Sequence, residues 1–163
     1  MKRLAFGLVA GILLSGPAVA EKWSTYYNMA TFGAGGGSDA DGWFNFECAG
    51  SDSGFSTAGQ PHFTLRIGEG FSRKKLVPEK TITFFVDDGL SYVLPMSPEV
   101  QSTVNLVYDH SAETLEEMQY FIAALRRGDR ATAWSGSRQL ASVALDGSFA
   151  ALEFVEACIA GED

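Results

Sequence analysis

The sequence predicts a mainly β fold, an antiparallel β-sandwich with two short helices near the C-terminus; an α+β arrangement is the alternative. Apolar and polar residues alternate over several short stretches, which is typical of half-buried strands. Most of these stretches are joined by short turns, as in antiparallel sheets. Apolar spacings of three and four residues, typical of helices, appear only late in the chain.

The N-terminus predicts export. Lys2 and Arg3 precede an apolar run over residues 4–14, and the small residues 18–20 predict cleavage after Ala20. The run is too short to span a bilayer, so no transmembrane segment is expected after cleavage. The prediction is a periplasmic or secreted protein with a single domain over residues 21–163.

The charge balance argues against some partners. Without Lys2 and Arg3, 10 basic residues face 20 acidic ones, a formal net charge of −10. Self-repulsion of this kind favours solubility and disfavours binding of nucleic acid or anionic lipid over the whole surface.

The first part of the mature chain predicts three strands. Residues 23–32 are aromatic and tolerant of β structure, and the Gly-rich residues 33–42 predict a mobile loop after them. Two alternating strands follow, and His62 falls on the polar face of the second; their inward residues are Phe44, Phe46 and Cys48, then Phe63, Leu65 and Ile67.

The middle of the chain predicts a β-hairpin. Residues 81–87 and 90–94 flank Asp88-Gly89, a pair typical of two-residue turns. Pro95 and Pro98 are expected to end the hairpin, and alternation over residues 100–108 predicts one more strand.

The last part of the chain predicts both helices. Thr114 and Glu117 form a capping-box pattern before an amphipathic stretch over residues 115–125. Two strands, 130–134 and 139–145, precede a Leu145-Asp146-Gly147-Ser148 turn and a final helix. The apolar side of that helix is predicted to carry Ala151, Phe154, Val155 and Cys158.

The two cysteines predict a disulfide. Cys48 and Cys158 both lie on predicted apolar faces of an exported chain, which favours a Cys48–Cys158 bond over free thiols. A redox-active pair would need the Cys-x-x-Cys spacing that lowers a thiol pKa, and this chain lacks it.

The C-terminal part resembles a known family. The stretch Phe121-Ile122-Ala123-Ala124-Leu125-Arg126-Arg127-Gly128, a strand, and then Val143-Ala144-Leu145-Asp146-Gly147-Ser148-Phe149-Ala150-Ala151-Leu152 resemble the ending of the invasion-associated locus B family of exported bacterial proteins. The likeness covers roughly 40 residues. Ser148 replaces the usual Phe, and the N-terminal half lacks the family's further cysteines. The resemblance implies a periplasmic or surface protein and assigns no catalytic residue.

No motif predicts catalysis, a cofactor or a metal. The chain has no Gly-x-Ser-x-Gly, and the adjacent residues Asp109, His110 and Ser111 cannot converge as a triad. Two histidines exclude a multi-histidine zinc site. The Asp-Gly sequences at 39–42 and 87–89 predict turns, and 33–37 lacks the Lys-Ser/Thr of a phosphate loop.

One basic cluster is a candidate binding patch. Arg73, Lys74 and Lys75 lie in a predicted connection and could contact an envelope component or a partner protein, or serve only as a solvated loop. Trp23, Tyr26 and Tyr27 could form a carbohydrate platform, although core packing is the simpler interpretation. The leading hypothesis is a non-enzymatic envelope protein that acts by binding; the alternative is a small secreted hydrolase. The sequence leaves the oligomeric state open.

Overall fold

The computed structural model describes residues 21–28, 31–49, 59–71, 81–87, 89–100 and 102–160. The predicted leader, residues 1–20, and the basic cluster Arg73, Lys74 and Lys75 lie outside this part. The described residues form nine strands, β1 Glu21–Asn28, β2 Thr31–Ser38, β3 Gly42–Ala49, β4 Pro61–Arg66, β5 Thr81–Val86, β6 Leu90–Pro98, β7 Asn105–Tyr108, β8 Arg130–Ser135 and β9 Arg138–Ala144. They also form three helices, α1 Leu115–Leu125, α2 Ser148–Ala151 and α3 Glu153–Ala160.

All the strand pairs are antiparallel and belong to one sheet, in the order β1-β2-β3-β4-β7-β6-β5-β8-β9. Strand β6 joins the two halves, because residues 90–95 pair with β5 and residues 96–98 pair with β7. The sheet turns back on itself, and β9 contacts β2 and β3. The predicted mainly β, antiparallel fold with late helices is therefore confirmed, and its two layers are halves of one sheet.

The core is a cluster of phenylalanine rings between the two halves of the sheet. Phe63 on β4 lies 4.4 Å from Phe46 on β3 and 5.5 Å from Phe84 on β5, between ring centroids. Phe121 of α1 closes the cluster 4.8 Å from Phe84. These rings and Phe44 are fully buried, and burial of each contributes about 1.5–3 kcal/mol. The predicted alternation on β3 and β4 is confirmed.

The Gly-rich residues form strand β2, so the prediction of a mobile loop over residues 33–42 is wrong. Strand β2 pairs with both β1 and β3. A Cβ on Gly33 would lie 2.1 Å from the Tyr26 ring, and one on Gly36 would lie 2.5 Å from the Trp23 ring. Glycine is needed because aromatic side chains of β1 lie across this strand, one on each face.

Two further predictions about β6 and β7 need correction. Pro95 was expected to end the hairpin, but strand β6 continues through it to Pro98. Proline has no backbone N–H, and this is tolerated because Pro95 lies where the pairing with β5 ends and the pairing with β7 begins. Val100 is 84% exposed and lies in a turn, and the strand predicted over residues 100–108 is confined to β7.

The predicted hairpin is confirmed, but its turn differs. Val86 pairs with Leu90, so three residues connect the strands in place of the predicted two. Asp87 has a positive φ of 51°. Alternation predicts an inner face made of Ile82, Phe84 and Val86 on one strand and Leu90, Tyr92 and Leu94 on the other. The first three and Leu94 are buried as expected, whereas Tyr92 is half-buried and Leu90, at the start of β6, is 57% exposed.

Helix α1 buries Met118, Phe121, Ile122 and Leu125, as its spacing predicts. The predicted capping box is absent. The Thr114 hydroxyl instead lies 2.6 Å from the Tyr108 hydroxyl, and the Glu117 carboxylate accepts the Val93 N–H at 3.4 Å. Tertiary partners therefore replace the local cap.

The disulfide joins Cys48 on β3 to Cys158 on α3, with a Cα–Cα distance of 6.1 Å. This confirms the predicted bond across 110 positions of sequence. The last helix is interrupted at Leu152, which shifts its phase, and Phe154 is 55% exposed against the prediction of an inward position. No described helix is long and apolar enough to cross a membrane.

Candidate binding site at the hairpin end

The end of the β5–β6 hairpin is held against the start of β8 by Asp87. The Asp87 carboxylate accepts the N–H groups of Asp129 at 2.9 Å and Arg130 at 3.0 Å, and the Asp87 N–H donates to the Arg130 carbonyl at 2.8 Å. The carboxylate thus satisfies two backbone donors at the start of β8. Asp87 lies between two hollows of the surface, and it lines both.

The outer hollow has a volume of about 650 Å³ and lies on the face of the sheet that points away from the core. Its lining includes Phe85, Arg130, Thr132 and Trp134. The indole N–H of Trp134 donates to the Thr132 hydroxyl at 2.9 Å, which satisfies the polar edge of the ring. The outer hollow is therefore lined by the aromatic rings of Phe85 and Trp134 and by the Arg130 guanidinium.

The helix groove, of about 700 Å³, lies between β6 and α1. Its lining includes Leu90, Ser91 and Tyr92 from the strand side and Glu117, Tyr120 and Arg127 from the helix side. Leu90 and Tyr120 are each 57% exposed. Burial raises the pKa of Tyr92, and the nearby Glu117 carboxylate adds to the rise while Arg127 opposes it. The groove therefore combines apolar walls with the Arg127 guanidinium and two carboxylates, Glu117 and Asp87, of which Asp87 already accepts two backbone N–H groups.

A polar cluster lies elsewhere, on the outer face of β1, β3 and β4. The Tyr26 hydroxyl donates to Glu47, and the Asn45 amide donates to the Tyr26 hydroxyl at 3.1 Å. His62 Nδ1 lies 3.6 Å from Glu47 Oε2. The interaction with His62 lowers the pKa of Glu47 to about 2, although partial burial of the carboxylate acts to raise it. Burial raises the pKa of Tyr26 to about 12, and the hydrogen bond to Glu47 adds to this rise. His62 is exposed on the polar face, as predicted.

The arrangement can orient the His62 imidazole, since the Glu47 carboxylate, whose pKa is lowered, lies 3.6 Å from one ring nitrogen. The His62 side chain is 52% exposed. The cluster is thus a histidine–carboxylate pair on an open surface.

The adjacent residues Asp109, His110 and Ser111 do not converge. The Asp109 carboxylate accepts a hydrogen bond from Ser97, and Ser111 lies 3.0 Å from the Thr114 hydroxyl. The His110 ring packs edge-on against Tyr108 at 6.1 Å, and its buried Nε2 has no partner in the described part of the chain. The three residues make local contacts in the connection between β7 and α1.

The other sequence candidates have local roles. Asp39 pairs with Arg66 at 3.0 Å, and Asp41 bonds Ser38 within a turn, as predicted for that Asp-Gly sequence. Trp23 is buried with its indole N–H on the Ala144 carbonyl, so it cannot form a platform with the exposed Tyr26 and Tyr27. Within the described residues no three metal-binding side chains of His, Cys, Asp or Glu lie together.

The sequence did not indicate the groove. Leu90 and Tyr92 alternate on the predicted inner face of the hairpin, and Tyr120 falls on the polar side of a predicted helix, so neither pattern suggests a hollow. The groove exists because α1 packs against β6 from a distant part of the chain. No local pattern encodes that contact.

The chain matches no protein-family model, no curated protein and no solved structure. The resemblance of the C-terminal part to the invasion-associated locus B family therefore stays a prediction.

Proposed function

We propose that this chain is an exported envelope protein, periplasmic or surface-associated, that acts by binding a partner at the hairpin end. The observation that carries the proposal is the exposure of Leu90 and Tyr120, two large side chains that line the same groove. Phe85 and Val93, on the other face of the hairpin, are exposed as well. Exposed apolar surface with a polar rim is typical of interaction sites.

Burial of these two side chains by a partner is energetically favourable. Covering the exposed part of Leu90 and Tyr120 with a partner would gain about 25 cal/mol for each Å² of apolar surface removed from water. The charged groups of Glu117 and Arg127 lie at the rim, where they favour a correctly oriented partner more than they add affinity. Such a surface suits recognition of a macromolecule.

The disulfide supports the export part of the proposal. A bond between Cys48 and Cys158 persists in an oxidising compartment and is rare in the cytosol. The predicted leader points the same way. N-terminal sequencing of the protein recovered from the periplasm or medium should begin at Glu21, and an intact leader on a cytosolic product would contradict export.

The binding part is tested with the double variant Leu90→Ser/Tyr120→Ser and the matched control Val100→Ser, which changes an exposed apolar residue lining neither hollow. Tagged proteins are cross-linked in envelope extracts under oxidising conditions, and partners are quantified by mass spectrometry. We expect the double variant to lose its partner at least tenfold and the control to keep it. Equal recovery by all three proteins would refute this site.

A second candidate function, a small secreted hydrolase, is favoured by one observation, the Glu47–His62 pair beside the Tyr26 hydroxyl. An oriented imidazole can act as a general base on water. The test is release of p-nitrophenol from p-nitrophenyl acetate by the wild type and by His62→Gln. A hydrolase requires turnover that rises with imidazole deprotonation and is lost in the variant. Equal rates for both proteins would remove this candidate.

A further inference from the structure

The backbone direction along β6 follows from two hydrogen bonds. The Val93 N–H points away from β5, to Glu117, and the Pro95 carbonyl accepts the Asp109 N–H at 2.9 Å on that same side. Because successive residues of a strand alternate their backbone direction, Ser91 also directs its N–H and C=O away from β5. Ser91 lines the helix groove.

This side of β6 is only partly covered. Strand β7 pairs with residues 96–98 and stops there, so no strand in the described part of the chain lies beside the first half of β6 on that side. Glu117 occupies the Val93 N–H, and no described residue donates to or accepts from the outward backbone of Ser91. An open strand edge with unpaired N–H and C=O groups is a template for pairing with another extended chain.

The length of the groove matches that of a short strand. Glu117, in the first turn of α1, and Arg127, two residues after its end, are 10 positions apart, and the helical rise gives a separation of roughly 15 Å. An extended chain rises about 3.3 Å per residue, so four or five residues span the two charges. Leu90, Tyr92 and Tyr120 provide apolar contacts between them.

Resting on the proposed function, we propose that the partner docks as an extended polypeptide segment that adds to β6 at Ser91, between the strand edge and α1. The segment would place a basic group near Glu117 and a carboxylate, from a side chain or a C-terminus, near Arg127. Main-chain hydrogen bonds supply affinity in this mode, and the apolar walls select side chains. The charges at the two ends set its direction.

The probe is a phage-displayed library of random 12-residue peptides, selected against the full oxidised protein. Enriched peptides are synthesised, and binding to wild type, Ser91→Pro and Ser91→Thr is measured by fluorescence anisotropy. Proline removes the outward N–H at an edge position that tolerates it, whereas threonine keeps the N–H. We expect at least tenfold weaker binding by Ser91→Pro and a change below threefold for Ser91→Thr.

The peptide supplies a second measurement that does not depend on the folding of a variant. N-methylation of alternate peptide residues should abolish binding at one parity and leave it at the other, because only every second residue faces β6. Failure to enrich any peptide, or binding indifferent to N-methylation, would overturn strand addition. The proposal would also be overturned if the free protein self-associates and Ser91→Pro abolishes this self-association, because the strand edge would then bind a second copy of the chain.

The two proposals fail separately. If Leu90→Ser/Tyr120→Ser loses the envelope partner while a folded Ser91→Pro keeps it, the binding surface stands and strand addition is wrong. If the double variant keeps the envelope partner, the proposed site itself is wrong, whatever the peptides do.

Discussion

Removing the disulfide is the most demanding test of this fold. The bond closes a loop of 110 positions between β3 and α3. In the chain-entropy model, opening that loop raises the entropy of the unfolded chain by about 16 cal/mol/K, which is about 4.8 kcal/mol at 25 °C. For a domain with a total stability of about 5–15 kcal/mol, the loss takes away a third or more of the free energy of unfolding.

The assay compares the oxidised wild type with the double variant Cys48→Ala/Cys158→Ala, which avoids an unpaired thiol. Guanidinium unfolding followed by tryptophan fluorescence should show the loss of about 4–5 kcal/mol, and thermal unfolding should show a midpoint lower by about 10–20 °C. The m-value should rise, because the unfolded chain without the bond exposes more surface. The wild type in reductant is the control and should match the variant.

A loss below about 1 kcal/mol with an unchanged m-value would refute the reasoning. Packing would then suffice to hold helix α3, through the burial of Val155 and the ion pair between Arg126 and Glu156, and the bond would constrain nothing that packing does not already constrain.

Three further changes test individual contacts. Gly36→Ala should destabilise the protein by about 1–3 kcal/mol in urea unfolding, because the new methyl group overlaps a buried indole ring, while the control Gly89→Ala, with nothing within 4 Å, should change stability by less than about 0.5 kcal/mol. Ser148→Ala should cost about 1–2 kcal/mol in the same assay, because it leaves the Leu125 carbonyl without the 2.7 Å hydrogen bond of a buried hydroxyl. Glu47→Gln should bring the pKa of Tyr26 down from about 12 towards its ordinary value, measured as tyrosinate absorbance in an alkaline titration.

The pH dependence of the Tyr26–Glu47 pair follows from the two shifts. The pKa of Glu47 is lowered in the fold to about 2, so its contribution is present above the ordinary carboxyl pKa and is lost as the pH falls towards 2. The pKa of Tyr26 is raised to about 12, so its contribution is complete below pH 10 and is lost as the pH rises through 12. An unchanged tyrosine titration in Glu47→Gln would contradict the contact.

The sequence predicted those features that depend on one element at a time. Alternation at Phe44, Phe46 and Cys48 placed the cysteine inward, and the helical spacing after Thr114 identified the buried face of α1. The same reasoning failed for Phe154, because the helix is interrupted at Leu152 and its phase shifts.

The prediction of a mobile loop from the Gly-rich residues 33–42 was also wrong. A run of glycines is normally a loop, since glycine weakens a strand by its backbone entropy. In β2 the glycines are required because Tyr26 and Trp23 lie across them, and that requirement comes from a different strand. The composition of residues 33–42 alone does not reveal this requirement.

The amino-acid sequence by itself determined the antiparallel β character, the late helices and the disulfide, because periodicity and burial of apolar side chains are properties of single elements. Only the tertiary structure decided where the sheet turns back, which edge of β6 stays open and where the groove lies. These depend on contacts between α1 and β6, and on the place where β7 stops pairing. Such long-range contacts leave no periodic trace in the chain, so the candidate binding site emerges only when the elements are packed together.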